Sequence, residues 1–134
     1  MVLVDTNVLL DIVQDNSEWA EWSQQQLDSS SLTNSLAINA VIYSELSIAF
    51  ERIEELESFV SGTSLSVEPI PREALFLAGK VFLNYRRREG TKQGVLLDFY
   101  IGAHAAVSGL TILTRDVRRY RSYFPTVELI TPPR

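Results

Sequence analysis

Five short apolar runs, VLV, LAI, SLSVEPI, LTILT and VELI, are spaced along the chain with helix-patterned segments between them. No other feature constrains the fold as strongly. The intervening segments are SEWAEWSQQQLDS, NAVIYSELSIAF with ERIEELESFV, PREALFLAGKVFLNYRRREG and LLDFYIGAHAAVSG, and several close on a glycine suited to a helix C-terminus. Strand, helix and strand in series form βαβ units, whose right-handed crossovers build a largely parallel sheet with helices on both faces. The expected fold class is α/β, a three-layer α/β/α sandwich with a central largely parallel sheet of about five strands. No repeat or composition break divides residues 1–134, so a single domain is expected, long enough to bury about two-thirds of the surface of its unfolded chain.

Composition removes several function classes. With 46% hydrophobic and 22% charged residues the chain reads as an ordinary globular protein. It has no cysteine, which removes disulfides, thiolate zinc sites and a cysteine nucleophile, and any metal must be held by oxygen or by the one histidine. No basic leader segment opens the sequence, and its apolar stretches are too short or too polar to cross a bilayer, so a cytoplasmic, membrane-free protein is expected. The net charge of -5 conceals an asymmetry. Residues 1–79 carry thirteen acids against Arg52 and Arg72, a balance of -11, whereas from Lys80 onward ten bases face Glu89, Asp98, Asp116 and Glu128, a balance of +6. One domain can thus present a cationic face, or simply a solvated one.

Four acids are placed unusually. Asp5 ends the first apolar run and Asp116 follows LTILT by two residues, so parallel strands bring both to one edge of the sheet. Glu45 is the only charged residue between Ser29 and Phe50, and Asp98 the only acid between Gln93 and Thr114, each within an apolar helical pattern. Burying a lone carboxylate is costly unless it is neutralised, paired or used to bind a metal. Four bare anions in one crevice would repel, and a divalent cation resolves the conflict. Carboxylate ligands without thiolate favour Mg2+ or Mn2+, and such an ion suits phosphodiester hydrolysis.

VDTN at the start, Glu45 in YSELS, Asp98 in LLDFYIGAHA and LTRDVRRYRSYFP near the end together resemble the PIN-domain ribonucleases, and among them the toxin nucleases of VapBC-type toxin–antitoxin pairs. The resemblance spans nearly the whole chain. It implies a PIN-like fold and a Mg2+- or Mn2+-dependent endoribonuclease acting on RNA, with Asp5, Glu45, Asp98 and Asp116 as catalytic and metal-holding residues. It also implies a small inhibitory antitoxin as partner and a homodimer as the usual assembly.

Thr6, Asn7 and Thr114 flank the acids and can hold Asp5 and Asp116 in the orientation a metal requires, although strand-to-helix turns also recruit Thr and Asn for local bonding. Arg115, Arg118, Arg119 and Arg121 surround Asp116 and are the candidate RNA contacts, with Tyr120 and Tyr123 stacking or packing beside them. The second basic cluster, NYRRREGTKQG, is the weaker RNA candidate and reads first as charge at a helix C-terminus. His104 lies about 120° around the helix from Asp98 and is assigned a structural role. A phosphatase using Asp5 as nucleophile is the rival enzyme reading, but the second acid of its DxDxT pattern is replaced by Asn7. A non-catalytic RNA-binding module is the third. Trp19 and Trp22 lie near one stripe of a polar helix, either packed internally or forming, with NAVIYSELSIAFERIEELESF, a groove for an antitoxin helix.

Overall fold

The computed structural model describes residues 1–88, 90–91 and 95–133. Its strands are β1 (Val2–Val4), β2 (Leu36–Ile38), β3 (Leu65–Val67), β4 (Thr111–Leu113) and β5 (Leu129–Ile130). Each lies inside one of the five apolar runs. They form one sheet in the order β3-β2-β1-β4-β5, and every pairing is parallel. β1 and β2 are buried throughout, so alternation is absent and the runs are continuously apolar, as suits a sheet covered on both faces.

The helices among the described residues are α1 (Thr6–Val13), α2 (Ala20–Ser31), α3 (Ala40–Ser47), α4 (Ile53–Gly62), α5 (Arg72–Arg87), α6 (Val95–Ser108) and α7 (Val117–Tyr123). Right-handed crossovers put the connections β1 to β3 on one face and those from β3 through β4 to β5 on the other, which yields the three layers. The segment Val117–Tyr123, expected only as a basic cluster, is helical because its aromatic side chains have somewhere to go. Tyr120 is buried, and Tyr123 packs on Phe99 of α6 at a centroid separation of 5.0 Å. Of the NYRRREGTKQG cluster, Arg86, Arg87 and Arg88 are exposed at the end of α5, while Glu89, Lys92, Gln93 and Gly94 lie outside the described residues.

Two glycines shape the surroundings of α6. Gly109 closes α6 with a φ of +66°, the left-handed conformation that spares glycine the Cβ clash. At Gly102 a Cβ would stand 2.3 Å from the Phe124 ring, so the missing side chain is what lets the end of α7 lie against α6. No helix among the described residues is long and apolar enough to cross a membrane.

The order of the strands reverses direction between β1 and β4, and a parallel sheet opens a crevice at the carboxyl ends of such a pair. Asp5 N–H donates to Leu113 O at 2.9 Å and Thr114 N–H to Ile130 O at 3.0 Å. Each is thus the last residue its strand can pair before the chain turns away.

Candidate active site

Asp5 sits in that crevice, 5% exposed, and caps α1 by accepting the Thr6 N–H on Oδ1 at 2.8 Å. Its Oδ2 accepts from Thr114 Oγ1 at 2.8 Å, Tyr120 Oη at 3.0 Å and Asn7 Nδ2 at 3.3 Å. A carboxylate with both oxygens engaged has one orientation. Burial nevertheless pushes its pKa up to about 6, against the hydrogen bonds from Thr114, Tyr120 and Thr6, and the charge of Asp98 adds to the rise.

Glu45 is tied to Asp5 through Thr6, Asp98 lies within electrostatic reach of both, and Asp116 lies within reach of Asp98. Glu45, half-buried on α3, accepts from Thr6 Oγ1 at 2.5 Å, so Thr6 links the first and second acids through its backbone and its hydroxyl. Burial raises the Glu45 pKa and Asp98 raises it further, in opposition to the Thr6 bond. Asp98 stands in the first turn of α6 and is paired with Arg119 of α7. Burial raises its pKa, Arg119 opposes the shift, and Asp116 reinforces it. Asp116 is exposed, and its backbone N–H donates to Thr114 Oγ1 at 2.9 Å. The charge of Asp98 thus reaches Asp5 and Glu45, and that of Asp116 reaches Asp98.

Asn7 and Thr114 serve these acids directly. Asn7 Nδ2 reaches Thr114 Oγ1 at 3.3 Å as well as Asp5, and its Oδ1 accepts the Arg115 N–H at 3.1 Å. Arg115 occupies a different place from the one its position beside Asp116 suggested. Its Nε and Nη2 both donate to Asp11 at 2.8 Å, and its guanidinium lies 5.0 Å from the centre of the Trp19 ring. This cation is engaged in holding the loop after β4 against α1 and is not held out toward solvent. Arg118 is exposed, and Arg119 faces Asp98.

Tyr120 and Asp11 were missed as contributors to the site. Tyr120 lies one helical turn beyond Asp116, and treating VRRYRSYF as a basic cluster concealed that spacing. Asp11 lies at i+4 from Asn7 on α1, 3% exposed, and also accepts from Ser23 Oγ at 2.8 Å. An acid at helical spacing from a polar site residue was the signal that could have found it. His104 has the structural role expected of it. Asn39 Nδ2 donates to its Nδ1 at 3.1 Å, which leaves the ring proton on Nε2, and burial lowers its pKa.

An all-oxygen donor set of four carboxylates suits a hard divalent cation, and the raised pKa values of Asp5, Glu45 and Asp98 express the repulsion and burial that such an ion would relieve. Among the described residues no three acidic or histidine side chains converge closely enough to form a ready coordination shell. The donor chemistry fits the ion, and the cation that Asp98 faces in this arrangement is Arg119.

The sequence profile of the family described as PIN domain matches residues 2–124. Among curated proteins no sequence matches the chain. Solved structures share its fold at low identity. VapBC2 from Rickettsia felis, bound to a DNA fragment from their promoter, aligns with a TM-score of 0.75 at 16% identity over 99% of this chain and 100% of that one. VapBC-1 from nontypeable Haemophilus influenzae aligns with a TM-score of 0.72 at 13% identity over 98% of both chains. DNA-bound VapBC from Salmonella typhimurium gives 0.70 at 19% identity over 97% of this chain and 96% of the other.

Proposed function

The chain belongs to the PIN domain family, and we propose that it is a Mg2+- or Mn2+-dependent endoribonuclease, the toxin of a cytoplasmic toxin–antitoxin pair. What supports this reading is that Asp5 stands at the crevice the sheet topology opens, with Glu45 tied to it through Thr6, Asp98 within electrostatic reach of both, and Asp116 within reach of Asp98. PIN domains are generally nucleases. The carboxylates of Asp5, Asp98 and Asp116, with Glu45 beside them, would hold the ion, which when bound supplies charge neutralisation at phosphate and an acidified water. Thr114, Tyr120 and Asn7 fix the direction of the Asp5 lone pairs, and Thr6 does the same for Glu45. Arg118 and Arg119 are the proposed phosphate contacts at the edge of the crevice.

Incubating the purified chain with structured RNAs, in Mg2+, Mn2+ or chelator, tests the reading. Cleavage is expected with metal only, and it should fall by about 100-fold or more in Asp5→Asn and Asp98→Asn. Amide variants that cut at the parental rate would sink the four-acid site.

The structural relatives from Klebsiella pneumoniae, Salmonella typhimurium and Haemophilus influenzae are toxin–antitoxin or VapBC assemblies, and an antitoxin is the proposed partner here. Trp19 and Trp22 meet edge to face at 5.9 Å and are half-buried, and more exposed apolar side chains stand elsewhere, among them Ile48 (87% exposed) and Ile53. Ile48 borders a cavity of about 290 Å³ with Leu10, Ala49, Thr6 and Glu45, which has room for an apolar anchor side chain of a partner helix next to Glu45. Coexpression with the adjacent small gene product should yield a silent complex that Ile48→Asp weakens. A homodimer is proposed through the exposed Leu75, Phe76 and Leu83 of α5, to be checked by light scattering.

A further inference from the structure

Among the described residues three ion pairs are formed, and they differ in how firmly each arginine is held. Arg115 grips a nearly inaccessible Asp11 with two nitrogens and is covered by Trp19. Arg52 and Glu54 are a surface pair, both well exposed. Arg119 stands between these cases. It reaches Asp98 through Nη1 alone, and the two side chains are 28% and 30% exposed. Water and ions therefore have access to the pair, and its release strands no buried charge.

Arg119 is also the basic side chain that faces one of the four acids. It supplies one positive charge to a cluster whose members raise one another's cost of ionisation, and it does so by using Asp98 Oδ2. An ion bound at Asp98 would need lone pairs on the same carboxylate. A guanidinium and a dication at one carboxylate also repel each other, so they cannot both be accommodated there at low cost.

We propose that Arg119 and a divalent cation compete for the Asp98 carboxylate, so that metal binding exchanges the guanidinium for the ion and frees Arg119 to take a phosphodiester oxygen. This rests on the reading of the acidic cluster as a metal site. Arg119 is then a positioning residue that keeps the empty site neutralised and holds metal affinity down until ion and substrate arrive together. Its long unbranched stem on the short helix α7 permits the swing without moving the helix.

The test is Mn2+ binding to the full chain, measured by calorimetry and by the spin-resonance signal of free Mn2+, with no RNA present. Parent, Arg119→Gln, Arg119→Lys and Arg118→Gln are compared at one ionic strength, with folding checked by circular dichroism. Arg119→Gln should bind Mn2+ about tenfold more tightly than the parent. Arg118→Gln, which removes the same charge from the same helix, should stay within about twofold. Arg119→Lys keeps a charge without the planar fork, and its affinity should fall between parent and Arg119→Gln. In the parent, Mg2+ saturation should also shift the Arg119 guanidinium resonances from the ion-paired to the solvated position. Coincident affinities of parent, Arg119→Gln and Arg119→Lys, with binding still lost in Asp98→Asn, overturn the role of Arg119 and leave the metal site standing. An equal gain in Arg118→Gln overturns it as well, since bulk charge would then account for the effect. Absence of Mn2+ binding in every variant at millimolar concentration overturns both.

Discussion

Asp5 shows how a single side chain can be well bonded and still work against the fold. Three donors reach its Oδ2 and a fourth its Oδ1, but removal from water outweighs them and its carboxyl titrates at about 6 instead of 3.8. A folded-state pKa above the unfolded one means that the native protein holds the proton more tightly. The stability this contributes is complete below about pH 3.8 and is lost as pH rises through about 6, an effect of about 3 kcal/mol for a shift of that size. Glu45 and Asp98 shift in the same direction and add to the trend. In chelator, therefore, urea unfolding of the parent should lose stability between pH 4 and 7 relative to Asp5→Asn, whose amide does not titrate. At pH 7.5 without metal the variant should equal or exceed the parent. Parallel pH profiles for the two proteins would show that Asp5 carries no such burden.

Among the elements, the contacts that matter for the site are those that carry β4 and α7 to α1 and α6. Asn7 and Asp11, one turn apart on α1, take the backbone and the guanidinium of Arg115, while Ser23 of α2 completes the shell of Asp11. Asp11→Ala removes the acceptor for a two-nitrogen grip and for the Ser23 hydroxyl. It should cost about 2–3 kcal/mol in equilibrium unfolding, less than a fully buried pair because Arg115 keeps partial access to water. A loss under about 0.5 kcal/mol would mean the loop is held by the strand alone. On the opposite side, Gly102→Ala places a methyl group against the buried Phe124 ring, which also packs on Phe99 at 6.0 Å. A cost of about 1–3 kcal/mol is expected, together with a disturbed Arg119 contact, because a Cβ 2.3 Å from the ring forces the buried Phe124 to shift. Melting temperatures of Gly102→Ala and parent that agree would show the contact to be compliant.

For the whole molecule, the sheet turns five short strands into a device for assembling residues from both ends of the chain. Thr114 and Tyr120 reach Asp5 across sequence separations of 109 and 115 residues. An ion that binds this assembly finds no equivalent in the unfolded chain, so Mg2+ or Mn2+ should raise the melting temperature by mass action, about 2.7 kcal/mol of stabilisation at a hundredfold excess over Kd. Ca2+ should stabilise without supporting cleavage, because its looser coordination does not orient an attacking water as Mg2+ does. Asp98→Asn should abolish the shift. A melting temperature indifferent to every divalent ion at millimolar concentration would remove the basis for metal chemistry.

The sequence alone determined the five strands and most of the helices, and it singled out four acids as candidates. Continuous apolar runs as short as LAI specify buried parallel strands, glycine after an apolar helix marks its end, and an acid isolated in apolar surroundings stands out without any knowledge of its neighbours. These are local properties, set by period, propensity and desolvation. Partner choice is different in kind. Arg115 and Arg119 are four residues apart and alike in sequence context, yet one grips Asp11 beneath Trp19 and the other faces Asp98. Tyr120 was legible as an aromatic residue but not as a hydrogen-bond donor to Asp5, and the helix that aims it there forms because α6 offers Gly102 and Phe99 as a seat. Only the tertiary structure decided these pairings, because a side chain several bonds long can satisfy its charge or hydroxyl in several directions, and packing selects the one that leaves no buried side-chain nitrogen or oxygen among the described residues without a partner.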